Sequence, residues 1–391
     1  MTLSHSEAHE AAVHRPRRII MNNDGNDCWS HDDAADGGAG AKTVENFLSK
    51  RTSPLVGSQV DAIFYCTGVV NSYTHHSEET ELRIVADRGV DDWAHELKQI
   101  AGRDSLQVMT DFCHQQDWEV FWSMRMNDTH DSGDEALLTE WKSSHRELLM
   151  GNPGDELPFG GKRWSAMNYE RPQVREKVFR ILQDVATRYD VDGLELDFFR
   201  HPVYFRPQMT GDPVTGQHCD LMTELIKRVR EMTQQVAQER GRPMLISVRV
   251  PDSLGYARAI GLDYEAWLQE GLIDIVVGGG YFHLEPCESL VALGHSYGAC
   301  VYAGLSASRI VDPSNPGGSV PIELWRGEAY TAWQAGVDGI YTFNRFNPHD
   351  PIFHELGSPE TLEGKPMRCE PNPGSAIEYW LKGGEQFVRT A

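Results

Sequence analysis

Cysteine is scarce in this sequence, and its few copies follow no pattern. Seven cysteines are scattered over 391 residues, an odd number without a CxxC pair or a zinc-type spacing. These absences exclude a disulfide framework and favour reduced thiols. No apolar run is long enough to span a bilayer, and the first residues lack the apolar segment of a signal peptide. We therefore expect a cytoplasmic protein, or a secreted one given without its leader, that has no membrane partner.

Basic residues are also in short supply. The chain has 36 Lys and Arg against 58 Asp and Glu, a formal charge of −22. Such a charge repels nucleic acid and anionic lipid, so no nucleic-acid partner is expected. The glycine runs at 278–280 and 37–40 do not open a phosphate-binding helix, and no HExxH or paired-histidine strand motif occurs. The sequence thus predicts neither a cofactor nor a metal, and it leaves the oligomeric state open.

Short apolar runs alternate with amphipathic helical patterns along most of the chain. The clearest helical patterns cover 91–101, 171–189, 219–240, 262–271 and 322–336. Eight strand-like runs with mostly helical connections are typical of a (β/α)₈ TIM barrel, an α/β fold. The eight predicted strands lie within 17–24, 60–68, 118–128, 189–205, 243–252, 273–282, 299–308 and 337–346.

The rest of the chain divides into three flanking parts. Residues 1–15 are polar and His-rich without periodicity, so we predict a mobile N-terminal lead-in before a barrel domain over 16–350. Residues 129–170, after strand three, are rich in Gly, Pro and charge and predict a long loop, a type of segment that is usually functional or disordered. Residues 351–391 predict a C-terminal extension packed on the barrel.

Polar residues gather where the predicted strands end, which is where TIM barrels carry their active sites. Within strand four, Glu195 and Asp197 alternate with Leu194 and Leu196. If the leucines pack under the helices, both acids point into the barrel axis, with Asp197 nearer the mouth. A buried carboxylate needs cations, hydrogen bonds or a function.

The run VDGLELDFFRHP (191–202) resembles the strand-four signature of glycosyl hydrolase-like family 10 barrels. The resemblance implies a glycoside hydrolase in which Asp197 is a catalytic or substrate-binding carboxylate. The run is also similar to the DG-x-x-x-D strand of α-amylase-type and family 18 glycosidases. An amylase would carry arginine where Glu195 stands, however, and a family 18 enzyme would place an acid at Phe199, so both of these readings are disfavoured.

A two-carboxylate mechanism requires a second acid across the cleft from Asp197. Asp252, just after strand five, is the first candidate, and Glu285, after strand six, is the second. The alternative is that Glu195 and Asp197 are structural acids that pair with Arg125 or Arg249, since ion-pair networks also bury carboxylates.

The other side chains at the strand ends suggest what is bound. Guanidinium groups suit carboxylate and sulfate, so an anionic glycan, sulfated or uronate-containing, is a natural substrate hypothesis. It competes with the possibility that the arginines only neutralise Glu195, Asp197 and Asp252. The candidate substrate-binding residues are Asn23, Asp24, Arg125, Trp164, Glu195, Arg200, His201, Arg249, Tyr281, His283, Asn344 and Arg345.

Two other functional classes remain open at the level of sequence. One is a metal-dependent barrel hydrolase or deacetylase that uses Asp24, His283 and neighbouring acids. The other is a carbohydrate-binding barrel without catalytic activity. The leading hypothesis is a glycoside hydrolase that acts on a poly- or oligosaccharide.

Overall fold

The structure is a computed structural model. It describes residues 5–25, 27, 29–30, 43–69, 72–82, 91–92, 102–312, 314–315, 318, 320–370 and 372–390. None of the helices in these ranges is both apolar enough and long enough to cross a bilayer.

Eight parallel strands close into one barrel, which confirms the predicted fold. Each strand pairs with the next along the chain, and the last pairs with the first. Every strand of the barrel lies inside one of the eight predicted runs. The strands are β1 (Ile19–Asn23), β2 (Val60–Tyr65), β3 (Glu119–Arg125), β4 (Gly193–Asp197), β5 (Leu245–Val250), β6 (Ile275–Gly278), β7 (Cys300–Ser306) and β8 (Gly339–Phe343).

Strand alternation divides the apolar residues into two cores. Leu194 and Leu196 of β4 belong to the large core between the strands and the helices. A smaller core lies inside the barrel and includes Phe64, Phe121 and Tyr341. The acids of β4 therefore face the inside, as their spacing relative to the leucines predicts.

Helices surround the barrel, and four of the five predicted helical patterns coincide with observed helices. The predicted helix at 91–101 falls almost entirely outside the described residues, and Asp91–Asp92 is a short strand paired with Trp29–Ser30. A second small sheet joins Gly68–Val69, Ser72–Tyr73 and Glu81–Leu82. The helices are α1 (His5–Val13), α2 (Val44–Ser49), α3 (Ser105–Gln115), α4 (Glu140–Ser144), α5 (Pro172–Arg188), α6 (Arg206–Thr210), α7 (Gly216–Arg240), α8 (Leu254–Ala259), α9 (Tyr264–Gln269), α10 (Cys287–Ser296), α11 (Ile322–Gln334), α12 (Ile352–Glu355), α13 (Pro359–Leu362) and α14 (Ile377–Trp380).

The start of the chain differs from the irregular lead-in that we predicted. Residues His5–Val13 form α1, and Val13 joins the core inside the barrel. His9 Nε2 lies 2.9 Å from a carboxylate oxygen of Asp274, just before β6. These long-range contacts, which the local sequence pattern does not contain, explain why a polar segment is helical here.

The loop after β3 has a packed interior of its own. Met150, Trp164 and Met167 are buried in it. The buried ammonium of Lys142 donates to Asp131 Oδ2 at 2.7 Å, and Asp131 also accepts from the Ser165 hydroxyl. An ion pair and a small apolar cluster thus hold this loop beside the barrel mouth.

The last part of the C-terminal extension, from residue 373 on, contacts the same end of the barrel. The Pro373 carbonyl accepts from the His283 backbone N–H at 2.8 Å. The indole ring of Trp380, in α14, stacks on the His201 ring with centroids 5.8 Å apart. The extension therefore contributes side chains to the surroundings of the mouth.

Candidate functional site

Asp197 ends β4 inside the barrel, where Arg249 of β5 holds it. The Arg249 guanidinium donates from Nε to Oδ1 at 2.9 Å and from Nη2 to Oδ2 at 2.6 Å. Oδ1 also accepts the Phe199 backbone N–H at 2.9 Å. Both side chains are buried, so the guanidinium neutralises the acid in a fixed geometry. Each carboxylate oxygen has two lone-pair sites, so capacity to accept remains.

Glu195 lies one layer deeper, with 0% of its surface exposed. Its Oε2 accepts from the Tyr341 hydroxyl at 3.1 Å. Burial raises the pKa of Glu195 to about 7, and the neighbouring charge of Asp197 acts in the same direction against Arg249. Glu195 is therefore part of the barrel interior beneath the mouth.

Arg249 is clamped by an aromatic ring as well as by its acid. Its guanidinium carbon lies 3.8 Å from the centroid of the Phe343 ring. Its Nη1 has no hydrogen-bond partner among the described residues. A Cβ at Gly280 would lie 3.4 Å from this Nη1 and 2.8 Å from the Phe199 ring, so the glycine leaves room beside it.

Arg200 is the guanidinium whose partners are neutral. Its Nη1 donates to the Tyr281 hydroxyl at 2.7 Å and to Asn344 Oδ1 at 3.4 Å. No ion pair of Arg200 is found among the described residues, and its Nε has no partner there. Burial raises the pKa of Tyr281, so its phenol keeps its proton and can donate it. Asn344, at a φ of 55°, is held in the left-handed region by a 2.7 Å bond from Nδ2 to Ser308 Oγ.

Asp24, at the end of β1, is surrounded by positive charge. It forms an ion pair with Arg51 and lies 3.9 Å from Arg125 Nη2. Although burial acts to raise it, the charges of Arg51, Arg125 and Arg200 hold the pKa of Asp24 below its ordinary value. Asn23 beside it is fully buried, and its side-chain amide donates to Asp27 Oδ2 at 2.7 Å. Asn23 thus supports the loop that carries Asp24.

Asp128 and His130 follow β3 and form a pair at the mouth. Asp128 Oδ2 accepts from Arg125 Nη1 at 2.8 Å, and Oδ1 lies 2.7 Å from His130 Nδ1. Despite its burial, the hydrogen bond and charge of His130 hold the pKa of Asp128 well below its usual range. The His130 ring packs against the ring of His201, with centroids 4.8 Å apart, and 47% of its side chain is exposed.

This cluster contains three groups of the kind that bind metals. One ligand atom each of Asp128, His130 and His201 lies within 4.8 Å of the others. However, bonds from His130 and Arg125 leave Asp128 one lone pair, and His201 Nδ1 accepts the Thr129 N–H at 3.0 Å. That bond fixes the His201 proton on Nε2, so neither of its nitrogens offers a lone pair. Without a third ligand, the donor set does not fit a cation.

The two acids predicted as partners of Asp197 are held by other neighbours. Asp252 binds His283 Nδ1 through one oxygen and the Leu284 N–H at 2.9 Å through the other. A Cβ at Gly278 would lie 3.4 Å from the Cβ of Asp252, on the side of the strand that faces Leu290 of α10. Glu285 accepts from the Ser253 hydroxyl at 2.5 Å. Asp252 and His283 thus lie toward the helix layer, and the described contacts do not bring them to Asp197.

Trp164 and Arg345 do not lie where sequence reasoning put them. Trp164 is only 6% exposed, its indole N–H donates to the Ser132 carbonyl at 3.0 Å, and Arg146 covers its ring. It therefore fills the interior of the loop and offers no free face to a sugar. Arg345 pairs with Asp350 and lies over the Trp325 ring, which leaves it in a structural ion pair.

Five residues of the site escaped sequence reasoning: Arg51, Asp128, His130, Tyr341 and Phe343. Asp128 and His130 had a signal, since an acid and a histidine two residues apart directly follow a strand. Tyr341 and Phe343 alternate on β8 and could have been assigned to the barrel interior by parity. Arg51 lies far from any predicted strand end and gives no such signal.

Comparisons with known proteins identify the fold. No protein-family model and no curated protein matches the chain. The glycoside hydrolase domain of PgaB (BpsB) from Bordetella bronchiseptica is similar at 13% identity, with a TM-score of 0.52 over 88% of this chain and 99% of that chain. The α-L-fucosidase isoenzyme 2 from Paenibacillus thiaminolyticus gives 14% identity and a TM-score of 0.49 over 89% of this chain and 49% of that one.

The similarity to known structures extends to the fold and no further. At such identities the similarity to the PgaB domain shows a shared (β/α)₈ barrel, and the lower score of the fucosidase adds no argument. Neither of these two similarities shows a relationship to glycosyl hydrolase-like family 10, so that relationship stays a resemblance based on residues 191–202.

Proposed function

We propose that this protein is a glycoside hydrolase whose active site is the C-terminal mouth of the barrel. The observation that carries the proposal is the fixed carboxylate of Asp197 on β4, oriented by Arg249 and the Phe199 N–H. A carboxylate held in this way suits the nucleophile or the base of glycoside hydrolysis. The likeness of the fold to a glycoside hydrolase domain supports the proposal.

We further propose that the substrate is an anionic glycan, either sulfated or uronate-containing. Arg200 has neutral hydrogen-bond partners, and Arg249 keeps Nη1 without a partner among the described residues. Four arginines (Arg51, Arg125, Arg200, Arg249) lie in the described part of the mouth, and Arg200 has no ion pair among the described residues. A guanidinium without an acidic partner, in a chain of net charge −22, favours a ligand that brings its own negative charge.

In this proposal Asp197 carries the negative charge of a two-group mechanism. As nucleophile it would bond to the anomeric carbon, and as base it would take a proton from the attacking water. The second group must hold a proton and release it to the leaving oxygen. Asp252 and Glu285 were expected in that role, but each is engaged by a different neighbour.

The test is a reducing-end assay of the full chain on neutral, uronate-containing and sulfated glycans. We expect Asp197→Asn to lower kcat by roughly 10²–10⁴-fold with the fold intact by circular dichroism. The control is Asp61→Asn, which removes an acid paired with Arg18 before β1, at the opposite end of the barrel, and should leave turnover unchanged. Normal turnover by Asp197→Asn would end the proposal.

Substrate charge has its own test. Arg200→Gln removes one charge-assisted contact, so kcat/KM for a uronate or sulfated glycan should fall about 10–100-fold while that for a neutral glycan stays the same. Equal losses on charged and neutral glycans would show that Arg200 recognises no charge. Hydrolysis confined to neutral glycans would reject the anionic substrate and leave the glycosidase intact.

A further inference from the structure

Among the described residues, the acids that face one another at the mouth are poorly suited to protonate the leaving oxygen. The surrounding positive charges keep Asp24 ionised. Asp128 is kept ionised by its hydrogen bond to His130. Asp197 forms an ion pair with the Arg249 guanidinium. His201 stays neutral because burial lowers its pKa well below the ordinary value. The proton donor is therefore expected to be a different side chain.

His130 is held in the geometry that a proton donor needs. Asp128 Oδ1 accepts both the His130 backbone N–H at 3.0 Å and a bond to Nδ1 at 2.7 Å. An ionised carboxylate can only accept, so Nδ1 must carry a proton. Nε2 is then the ring nitrogen that Asp128 leaves free for another partner.

The surroundings of His130 fix the ring at the mouth and leave part of it open. Asp128, which holds it, is itself bound by Arg125. Arg125 pairs in register with Asp197 across β3 and β4. The His201 ring packs on one side of the imidazole, while 47% of the side chain stays exposed.

We propose that His130 is the general acid of the reaction and that Asp128 is its positioning residue. The inference rests on the proposed glycosidase function and replaces Asp252 and Glu285 in the acid role. The two residues form an Asp–His pair in which Nδ1 faces the carboxylate and Nε2 faces the substrate. Asp128 then fixes the ring and stabilises the imidazolium form.

The step balances in either stereochemical course. The bond between the anomeric carbon and the leaving oxygen breaks, its electron pair stays on oxygen, and that oxygen takes the proton from Nε2. If Asp197 has formed a bond to carbon, water then displaces it and returns a proton to Nε2. If water attacks directly, Asp197 takes a proton from the water and later releases it to solvent, and solvent restores the proton of His130.

The first test uses leaving-group dependence in the full chain. The probes are the 2,4-dinitrophenyl and methyl glycosides of the sugar that the glycan panel identifies. The dinitrophenolate leaves without protonation, whereas methoxide does not. We expect His130→Gln to lose roughly 10²–10⁴-fold on the methyl glycoside and to stay within a few-fold of wild type on the dinitrophenyl glycoside. Its pH–rate profile should also lose the alkaline limb.

A matched control separates catalysis from general damage. His295 forms a similar pair with Asp338, at 2.8 Å and 43% exposure, next to the start of β8 at the opposite end of the barrel. His295→Gln should therefore leave both substrates and the pH profile unchanged. Asp197→Asn should instead lose activity on both glycosides. This pattern distinguishes loss of the general acid, which spares the dinitrophenyl glycoside, from loss of the whole mechanism.

A second readout does not depend on turnover. In protein labelled with ¹⁵N-histidine, the neutral His130 ring, assigned by its loss in His130→Gln, should carry its proton on Nδ1. In Asp128→Asn this preference should weaken. A proton on Nε2 in the wild type would overturn the pairing with Asp128. Equal losses by His130→Gln on both glycosides would overturn the role of His130 as general acid. A wild type that hydrolyses no glycan would reject the glycosidase function and, with it, the catalytic role of His130.

Discussion

At the scale of single residues, burial changes the chemistry of Glu195 most clearly. Its carboxyl lies inside the barrel between Tyr341 and the Asp197–Arg249 pair. Burial raises its pKa to about 7 from an ordinary value of 4.5. The folded protein therefore holds a proton on Glu195 at pH values where the unfolded chain has lost it, so this residue costs stability as the pH rises through that window.

Replacing Glu195 by glutamine should remove this cost. Below pH 4.5 the side chain is protonated in both states and contributes no difference. Between pH 4.5 and 7 only the unfolded chain ionises, and above pH 7 the cost is complete. Relative to wild type, Glu195→Gln should gain roughly 1–3 kcal/mol between pH 4.5 and pH 8, measured by urea unfolding.

An exposed charge provides the comparison for this prediction. Glu231 lies on the exposed face of α7. Glu231→Gln therefore removes an exposed charge and should not reproduce the gain in stability. A constant difference between wild type and Glu195→Gln from pH 4.5 to 8 would contradict the assigned ionisation.

At the scale of elements, the contact between α11 and the C-terminal extension is tight. A Cβ at Gly327 of α11 would lie 2.0 Å from the backbone carbonyl oxygen of Arg368. The Arg368 N–H in turn donates to the Glu323 carbonyl at 3.0 Å. The helix and the segment around Arg368 thus touch backbone to backbone, and only glycine allows this approach.

Gly327→Ala should therefore loosen the extension from the barrel. Because the neighbouring atom is backbone, the methyl group forces a shift that we expect to cost about 1–3 kcal/mol, even though alanine has the better helix propensity. Thermal unfolding would measure the loss. Gly216→Ala at the start of α7, where a Cβ would meet nothing within 4 Å, should not be destabilised. Equal stabilities of the two variants would contradict the contact.

At the scale of the whole molecule, the barrel and the C-terminal extension share one core. Ile352, Phe353, Leu356 and Leu362 are fully buried in the same apolar cluster as the outer faces of the strands. Burying one such side chain contributes about 1.5–3 kcal/mol. Together they are comparable to the whole net stability of a domain, about 5–15 kcal/mol.

A chain that ends at residue 350 should therefore fail to fold cooperatively. We expect the truncated protein to be insoluble or to unfold without a sharp transition, while the full chain unfolds in a single transition under the same conditions. A soluble 1–350 fragment with a sharp thermal transition would show that the extension is an independent appendage.

The sequence by itself determined the barrel and the kinds of residues at its mouth. Alternation with a period of two, bounded by helical patterns, defines eight strands and sends Glu195 and Asp197 inward, because side chains on a strand point to opposite faces. Even the competing interpretation, pairing of Asp197 with Arg249, was available from the residue types and the strand order.

Only the tertiary structure decided which side chains meet. Asp197 and Arg249 are 52 residues apart, and Tyr341 is 146 residues from Glu195. Alternation assigns a face only while the strand lasts, and β5 ends at Val250, so the turn of Asp252 toward the helices could not be read from parity. The folding of polar residues 5–13 as a helix and the burial of Trp164 have the same cause, because contacts between distant segments supply the free energy that local patterns do not show.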